Sequence, residues 1–307
     1  MVKNILEVNL NGFELKNPIM LSSGTGGYCD ELGDFFDISS VGALITKGTT
    51  LKPRSGNDGI RLFETAGGMI NRIGLENMGI EKFIEEKLPL LRVKGISHVV
   101  NIAGSTEEEY INIAQMCEEA KIKAIEVNVS CPNVNAGCLE FGTDEDMLFN
   151  LVAKIRREFS GFIATKLTPN ITSIEKVAIA AQKAGSDAIS AINTLKGLGV
   201  KLIFDGKKFT KKEVQGGLSG RAIKPVALSM VKRICSVVSI PVIGVGGIYS
   251  LNDVFEFFSV GAGAIQIGTA NFTYPNICKK ITEELENFIV SNKIANLSEL
   301  KKLLKEN

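Results

Sequence analysis

The sequence contains very few of the residues that build metal centres. It has one histidine and six cysteines in 307 residues, and no two of these cysteines form a C-x-x-C pair. Structural zinc sites and cysteine-bound iron–sulfur clusters need closely spaced ligands of these types, so we expect neither within this chain. The only histidine, His98, begins a predicted strand, which excludes a device that pairs a nucleophile with a catalytic histidine.

A strong charge of one sign and long apolar runs are also absent. Lys+Arg 35 against Asp+Glu 34 gives a net charge of +1, which provides no field to attract nucleic acid or an anionic membrane. No apolar run approaches the length that spans a bilayer, and Asn4 and Glu7 interrupt the N-terminal segment where a signal peptide is apolar. We therefore expect a cytoplasmic protein with free thiols and without nucleic-acid or membrane partners.

Short apolar runs, rich in β-branched residues, alternate with segments of helical periodicity. Continuous apolar runs of this kind predict parallel strands that are buried on both faces. Eight such units in a chain of this length favour an α/β protein with a (β/α)8 TIM barrel, and a doubly wound sheet is the alternative. No linker divides the chain, so we predict a single domain over residues 1–307. The predicted strands are 18–22, 42–46, 98–102, 123–129, 162–167, 187–192, 240–244 and 263–267.

Four segments do not belong to a minimal barrel. Residues 5–16 alternate around an Asn-Gly pair, which predicts a β-hairpin that closes the bottom of the barrel. Residues 195–219 contain a second hairpin turn and follow a predicted strand, as 47–80 do, so both should overhang the catalytic face. Residues 281–305 are predicted to form an exposed charged helix.

Glycine-rich loops follow the last two predicted strands. They contain Gly246 and Gly247 after the seventh strand, and Gly268 and Thr269 after the eighth. Barrel enzymes bind phosphate with the backbone N–H groups of such loops. Either loop alone could simply form a tight turn, but together they favour a cofactor with a phosphate group. The chain lacks both a P-loop and a complete dinucleotide fingerprint, which argues against bound NAD.

Lysines and carboxamides are concentrated at the carboxyl ends of the predicted strands. Lys47 and Lys166 each end an apolar strand, where an ammonium could pair with an anionic substrate or stabilise an anionic reduced ring. The alternative is a lysine that extends to solvent. Asparagine side chains suit a ring with alternating N–H and C=O groups, although one asparagine at a strand end is usually a turn residue. The asparagines concerned are Asn71, Asn101, Asn128 and Asn193.

Cys131 lies three residues after Asn128 and is followed by Pro132. A thiol on a polar loop over an active site can act as a nucleophile or a base when its proton can be removed. The alternative is a buried thiol that only fills space, which is how we interpret Cys117, Cys235 and Cys278 in predicted helices.

Several motifs together carry a family resemblance over nearly the whole chain. They include ITKGTTLKPRSGN (45–57), GGMINRIGLEN (67–77), EVNVSCPNV (126–134), TKLTPN (165–170), GGLSGRAIKPVAL (216–228) and IPVIGVGGI (240–248). The chain resembles the class 1 dihydroorotate dehydrogenases, which are FMN-containing barrels, and most closely the catalytic chain of the two-subunit class 1B. This resemblance implies oxidation of dihydroorotate to orotate in pyrimidine biosynthesis.

The resemblance also implies roles for individual residues. Cys131 matches the catalytic base, which removes the C5 proton while hydride leaves C6 for FMN. The matching substrate-binding positions are Lys47, Asn71, Ile73, Gly74, Leu75, Asn128, Asn193 and Thr194. The matching FMN positions are Ser23, Lys47, Gly48, Asn101, Asn128, Lys166, Ile192, Gly220, Gly246, Gly247, Gly268 and Thr269.

For the class 1B type, the resemblance implies a homodimer of this chain. It associates with a second subunit that carries FAD and a 2Fe-2S cluster and passes electrons to NAD⁺, giving a heterotetramer. The alternatives are a fumarate-linked class 1A enzyme, a dihydropyrimidine dehydrogenase-like reductase that acts on uracil or thymine, and a flavin-carrying electron-transfer subunit. Departures from the family pattern are Gly48, where alanine is usual, the 25–36 loop and the 196–215 insertion.

Overall fold

Eight parallel strands close into a barrel at the centre of the protein. The structure is a computed structural model, and it describes residues 4–28, 32–129 and 141–306. Each strand pairs with the next one in chain order, and the last pairs with the first. The predicted TIM barrel is thus confirmed and the doubly wound alternative is wrong. The strands are β3 (Ile19–Leu21), β4 (Ala43–Ile45), β7 (His98–Ile102), β8 (Ala124–Asn128), β9 (Phe162–Leu167), β10 (Ala188–Ala191), β13 (Val242–Val245) and β14 (Ala264–Ile267).

Helices with one apolar face surround the barrel strands. In the helix Glu145–Glu158 the side chains of Leu148, Leu151 and Ile155 are buried on the barrel side, at the spacing of one helix face. Asp144 caps this helix by accepting hydrogen bonds from two backbone N–H groups of its first turn. The helices are α1 (Ile80–Lys82), α2 (Leu88–Val93), α3 (Glu107–Glu119), α4 (Glu145–Glu158), α5 (Ile174–Lys183), α6 (Lys224–Cys235), α7 (Leu251–Ser259) and α8 (Ala270–Thr273). A π-helical turn over Phe83–Lys87 lies between α1 and α2.

The N-terminal hairpin lies at the amino ends of the barrel strands, as predicted. Its strands β1 (Val8–Leu10) and β2 (Phe13–Leu15) pair antiparallel around the Asn-Gly turn. The ring of Phe13 stacks on Phe162, the first residue of β9, with 4.9 Å between the ring centroids. The hairpin therefore covers the end of the barrel opposite to the carboxyl ends of the strands.

The two inserted segments form one antiparallel sheet. Its strands are β5 (Leu62–Thr65), β6 (Gly68–Asn71), β11 (Leu195–Phe204) and β12 (Phe209–Ser219), in the order β11-β12-β6-β5. Gly217 of β12 pairs with Asn71 of β6, and a Cβ atom on Gly217 would lie 2.0 Å from Thr194 Oγ1. A glycine is required here because β12 passes directly against Thr194, in the loop after the sixth barrel strand.

The C-terminal segment differs from the prediction of one exposed charged helix. It forms two helices, α9 (Ile277–Ser291) and α10 (Leu297–Lys305), and both have a buried apolar face. Ile281, Leu285 and Leu300 are each no more than 2% exposed. The many lysines and glutamates of this segment mask an apolar stripe with helical spacing, which is why its charge misled the prediction. None of the described helices is long and apolar enough to cross a membrane.

Lys301 on α10 makes the stability of this packing depend on pH. Its ammonium lies 4.6 Å from the centroid of the Phe258 ring and donates to the carbonyl of Gly263. Burial, assisted by the charge of Lys305, lowers the pKa of Lys301 to about 7. An unfolded lysine has a pKa near 10.4, so between these two values the unfolded chain binds more protons than the folded one. The free energy of unfolding therefore rises with pH through this window.

We expect Lys301→Met to remove this contribution, which amounts to at most about 1.4 kcal/mol per pH unit. Denaturant unfolding of the wild type and the variant at intervals from pH 6 to 10 measures the difference. Lys302→Met, which changes an exposed neighbour, is the control and should follow the wild type. If the free energy of unfolding changed with pH in the same way for the wild type and Lys301→Met, Lys301 would not be the source of the pH dependence.

Candidate functional site

A cavity of about 450 Å³ opens at the carboxyl ends of the barrel strands. The sheet made by the two insertions forms one of its walls, through Leu62, Met69, Asn71 and Ser219. Every described residue that the sequence predicted for the site lines this cavity. These residues are Ser23, Lys47, Gly48, Asn71, Ile73, Gly74, Leu75, Asn101, Asn128, Lys166, Ile192, Asn193, Thr194, Gly220, Gly246, Gly247, Gly268 and Thr269. Their binding roles stay predictions, but their proximity is established.

Cys131, the predicted base, lies outside the described residues. Its role therefore stays a prediction. Among the described cysteines, Cys117 and Cys278 are buried and Cys235 is half-buried, which agrees with the interpretation of these three as helix fillers. Burial raises the pKa of the Cys117 thiol to about 12 and that of Cys235 to about 11. Neither thiol can serve as a base near neutral pH, since each stays protonated.

The two glycine-rich loops follow neighbouring barrel strands, and both line the cavity. Gly246 and Gly247 have φ values of 132° and 73°, and a Cβ on Gly247 would lie 2.9 Å from the backbone nitrogen of Lys224. Only glycine permits this backbone at such close approach. Within the described chain, no backbone carbonyl accepts the N–H groups of Gly246, Gly247 or Gly268. Such N–H groups are suited to an anionic ligand.

Carboxamides from three chain segments line another part of the cavity. Asn193 Nδ2 donates to Asn128 Oδ1 at 3.1 Å, and Asn193 Oδ1 accepts from the backbone N–H of Thr194 at 2.8 Å. Asn71 Nδ2 donates to the carbonyl of Gly217 at 3.1 Å. The first contact fixes the side chains of Asn128 and Asn193 relative to each other, and the third joins β6 to β12. The wall thus holds several oriented amide groups, which suits a ligand with its own N–H and C=O groups.

The two predicted lysines have different surroundings. Lys47 is partly exposed, and its Nζ lies 3.7 Å from Glu76 Oε1. Glu76 is also paired with Arg61, and both of these residues line the cavity. Sequence reasoning missed Arg61 and Glu76, although Glu76 belongs to the GGMINRIGLEN motif. Lys166, in contrast, is only 3% exposed and donates to Gln266 Oε1 at 3.0 Å.

A buried polar network inside the barrel was also missed. Glu126 of β8 and Gln266 of β14 are 0% and 1% exposed, and Gln266 Nε2 donates to Glu126 Oε2 at 2.7 Å. Asn101 Nδ2 donates to Glu126 Oε1 at 2.8 Å. The available signal was a Glu and a Gln within otherwise apolar strands, because a buried carboxylate is stable only with partners.

One atom of this network lacks a partner. The buried Asn101 Oδ1 accepts no hydrogen bond from any residue that the structure describes. Buried polar atoms of this kind are rare in folded proteins because each unsatisfied group is destabilising. Asn101 lines the cavity, so a donor group of a bound ligand would satisfy this oxygen.

Comparison with known proteins agrees with this arrangement. Residues 5–289 match the family model described as dihydroorotate dehydrogenase. A protein of Geotalea daltonii is 44% identical over 301 residues, which cover 98% of each chain. Relatives from Pelobacter propionicus and Thermoanaerobacter sp. (strain X514) are 45% identical over 300 residues and 42% identical over 295 residues. These alignments cover 97% and 96% of this chain and 98% and 97% of the relatives, respectively.

All three relatives are named "Dihydroorotate dehydrogenase B (NAD(+)), catalytic subunit". The resemblance to class 1B catalytic chains, predicted from the motifs, is thereby confirmed. The family model covers most of the chain, and the relatives align over nearly all of it. The chain therefore belongs to the dihydroorotate dehydrogenase family of oxidoreductases.

Proposed function

We propose that this protein oxidises dihydroorotate to orotate with FMN as its cofactor, as the catalytic subunit of an NAD⁺-linked enzyme. The observation that carries the proposal is the composition of the cavity at the barrel mouth. It combines glycine loops suited to a phosphate, a buried lysine and asparagine suited to a flavin, and a partly exposed lysine with several amides suited to a small anionic substrate. The names of the relatives support the substrate and the acceptor.

The residues of the cavity fit FMN in two respects. The N–H groups of Gly246, Gly247 and Gly268 suit its phosphate, and the orphaned Asn101 Oδ1 suits a ring N–H group. Lys166 contributes a positive charge that would stabilise a reduced, anionic ring. The chemistry that FMN supplies when bound is acceptance of a hydride. The residues proposed to hold it are Ser23, Lys47, Gly48, Asn101, Asn128, Lys166, Ile192, Gly220, Gly246, Gly247, Gly268 and Thr269.

The substrate contacts follow from the charge and the amide groups of dihydroorotate. The ammonium of Lys47 would pair with the substrate carboxylate, since it is partly exposed at the cavity wall. Carboxamides present donors and acceptors side by side, which matches the ring amides. The residues proposed to bind the substrate are Lys47, Asn71, Ile73, Gly74, Leu75, Asn128, Asn193 and Thr194.

The oxidation also requires a base for the C5 proton of dihydroorotate, and we propose Cys131. A thiol acts as a base only after losing its own proton, and its ordinary pKa is about 8.5. The rate should therefore increase with pH until the thiolate predominates. Asn128, three residues before Cys131 in the sequence, lines the cavity, and this supports the proposal.

The electrons would leave through a second subunit that carries FAD and a 2Fe-2S cluster, and then pass to NAD⁺. The relatives are named catalytic subunits of an NAD(+) enzyme, which supports a partner of this kind. The cysteine spacing of the sequence provides no cluster motif, so we assign the cluster to the partner. We further propose a homodimer of this chain within a heterotetramer.

An anaerobic absorbance titration tests cofactor and substrate together. We expect the FMN-loaded protein to show a flavin band that dihydroorotate bleaches and dihydrouracil does not, because only dihydroorotate offers a carboxylate to Lys47. Bleaching by dihydrouracil instead would indicate a pyrimidine reductase. Failure to bind FMN would refute the cofactor assignment.

Replacement of the proposed base should separate chemistry from cofactor binding. Cys131→Ala is expected to retain FMN but to reduce turnover of dihydroorotate at least about 100-fold, since general bases contribute at this scale. The flavin content and the rate of flavin reduction in a stopped-flow experiment provide the two measurements. Cys235→Ala, which changes a half-buried helix residue, is the control. Near-normal turnover of Cys131→Ala would exclude it as the base.

The affinity for orotate tests whether Lys47 pairs with the carboxylate of the substrate. Lys47→Ala should weaken the binding of orotate by roughly 2–4 kcal/mol, because a largely desolvated carboxylate loses its charged partner. Titration of the flavin absorbance with orotate and with uracil gives both affinities, and only that of orotate should fall. Lys52→Ala, an exposed lysine on the same segment, is the control. An unchanged affinity for orotate would rule out this role.

A further inference from the structure

The polar network inside the barrel contains a residue that does not itself line the cavity. Barrel interiors are usually filled by apolar branched side chains. Here, Glu126 places a carboxylate at 0% exposure, surrounded by Asn101, Gln266 and Lys166, of which none is more than 3% exposed. A buried charge is strongly destabilising unless it is paired, so its position beneath the cavity calls for an explanation beyond packing.

Both carboxylate oxygens of Glu126 are used. Oε1 accepts from Asn101 Nδ2 at 2.8 Å and lies 3.6 Å from Lys166 Nζ, and Oε2 accepts from Gln266 Nε2 at 2.7 Å. Gln266 Oε1 in turn accepts from Lys166 Nζ at 3.0 Å and from Ser22 Oγ at 3.3 Å. Glu126 thus contacts both of the buried side chains proposed to face FMN.

The carboxylate dictates the direction of the two amides beside it. An ionised carboxylate only accepts hydrogen bonds, so each neighbouring carboxamide must turn its NH₂ group toward Glu126. The carbonyl oxygen of Asn101 is therefore directed away from Glu126 and is the one atom of this network without a partner among the described residues. The carbonyl oxygen of Gln266 is likewise left to accept from Lys166.

The same carboxylate partly neutralises Lys166. At 3.6 Å and almost without solvent, the negative charge of Glu126 offsets much of the positive field that Lys166 exerts on the cavity. A positive field favours the reduced form of a flavin, because that form carries more negative charge. Glu126 therefore opposes the effect of Lys166.

We propose that Glu126 is a positioning residue with two effects. It fixes the Asn101 carbonyl as an acceptor, and it lowers the reduction potential of FMN by partly offsetting the positive charge of Lys166. The inference rests on the proposed function only in that FMN occupies this cavity. It assigns to Glu126 no contact with FMN or substrate, in agreement with its absence from the cavity lining.

The test is the reduction potential of FMN in Glu126→Gln, which keeps the shape of the side chain and removes its charge. In an anaerobic redox titration with a reference dye, we expect the ratio of reduced to oxidised FMN at a fixed potential to rise at least tenfold. For a two-electron couple this is about 30 mV toward positive potential. Glu283→Gln, an exposed carboxylate on α9, should leave the potential unchanged.

The affinity for FMN supplies a second measurement. The neutral carboxamide of the Glu126→Gln variant can donate to Asn101 as well as accept from it, so the Asn101 amide is no longer held in one direction. We expect the dissociation constant of FMN to increase about tenfold, measured by quenching of flavin fluorescence. A residue that only supported the fold would weaken FMN binding without a directed change in potential.

The proposal would be overturned if, at a fixed potential, the ratio of reduced to oxidised FMN in Glu126→Gln differed from that of the wild type by less than twofold. If that variant does not fold, Glu126→Asp replaces it, since it retains the charge but withdraws it from Lys166. The potential should then shift in the same direction by a smaller amount, and no shift would overturn the proposal equally. A wild-type protein that binds no FMN would refute the proposed function instead, so the two failures are distinguishable.

Discussion

Closure of the parallel barrel is the constraint on which the rest of the structure depends. The last barrel strand, β14, pairs with the first, β3, so no edge is left with unpaired backbone groups. Because all eight strands run in the same direction, the residues that follow them meet at one end. Side chains that are far apart in the sequence, such as Lys47 and Asn193, come together through this geometry alone. The chemistry of the site is thus a result of topology.

The barrel does not complete the cavity, because one wall belongs to the inserted sheet. Pairing of β12 with β6 places Asn71 against Gly217, and Thr269 Oγ1 donates to Ser219 Oγ at 2.8 Å. The second contact connects the loop after β14 to the end of β12. Strand β12 therefore contacts both the glycine-rich loop after β14 and Asn71 of β6, so these two parts of the cavity are held relative to each other.

The sequence predicted the barrel strands and most of the site for a physical reason. Strands that are buried on both faces are continuously apolar, and the polar residues that interrupt this pattern at strand ends, such as Lys166 and Asn128, were therefore visible. Glu126 and Gln266 were not recognised, since a single polar residue within an apolar run does not reveal its partners on other strands. The pairing of β6 with β12 was equally hidden, because it depends on a register between distant segments. The apolar faces of α9 and α10 were obscured by their many charges.

The pairing of Asn71 with Gly217 has a consequence for the synthesis of the protein. The hydrogen bond between them joins residues 146 positions apart, and β14 must still pair with β3 after that segment has been made. Contacts between such distant segments form late in folding, because long loops must close first. The cavity is consequently complete only when nearly the whole chain has left the ribosome. A chain that ends before β14 therefore lacks both the closure of the barrel and one of the two glycine-rich loops that line the cavity.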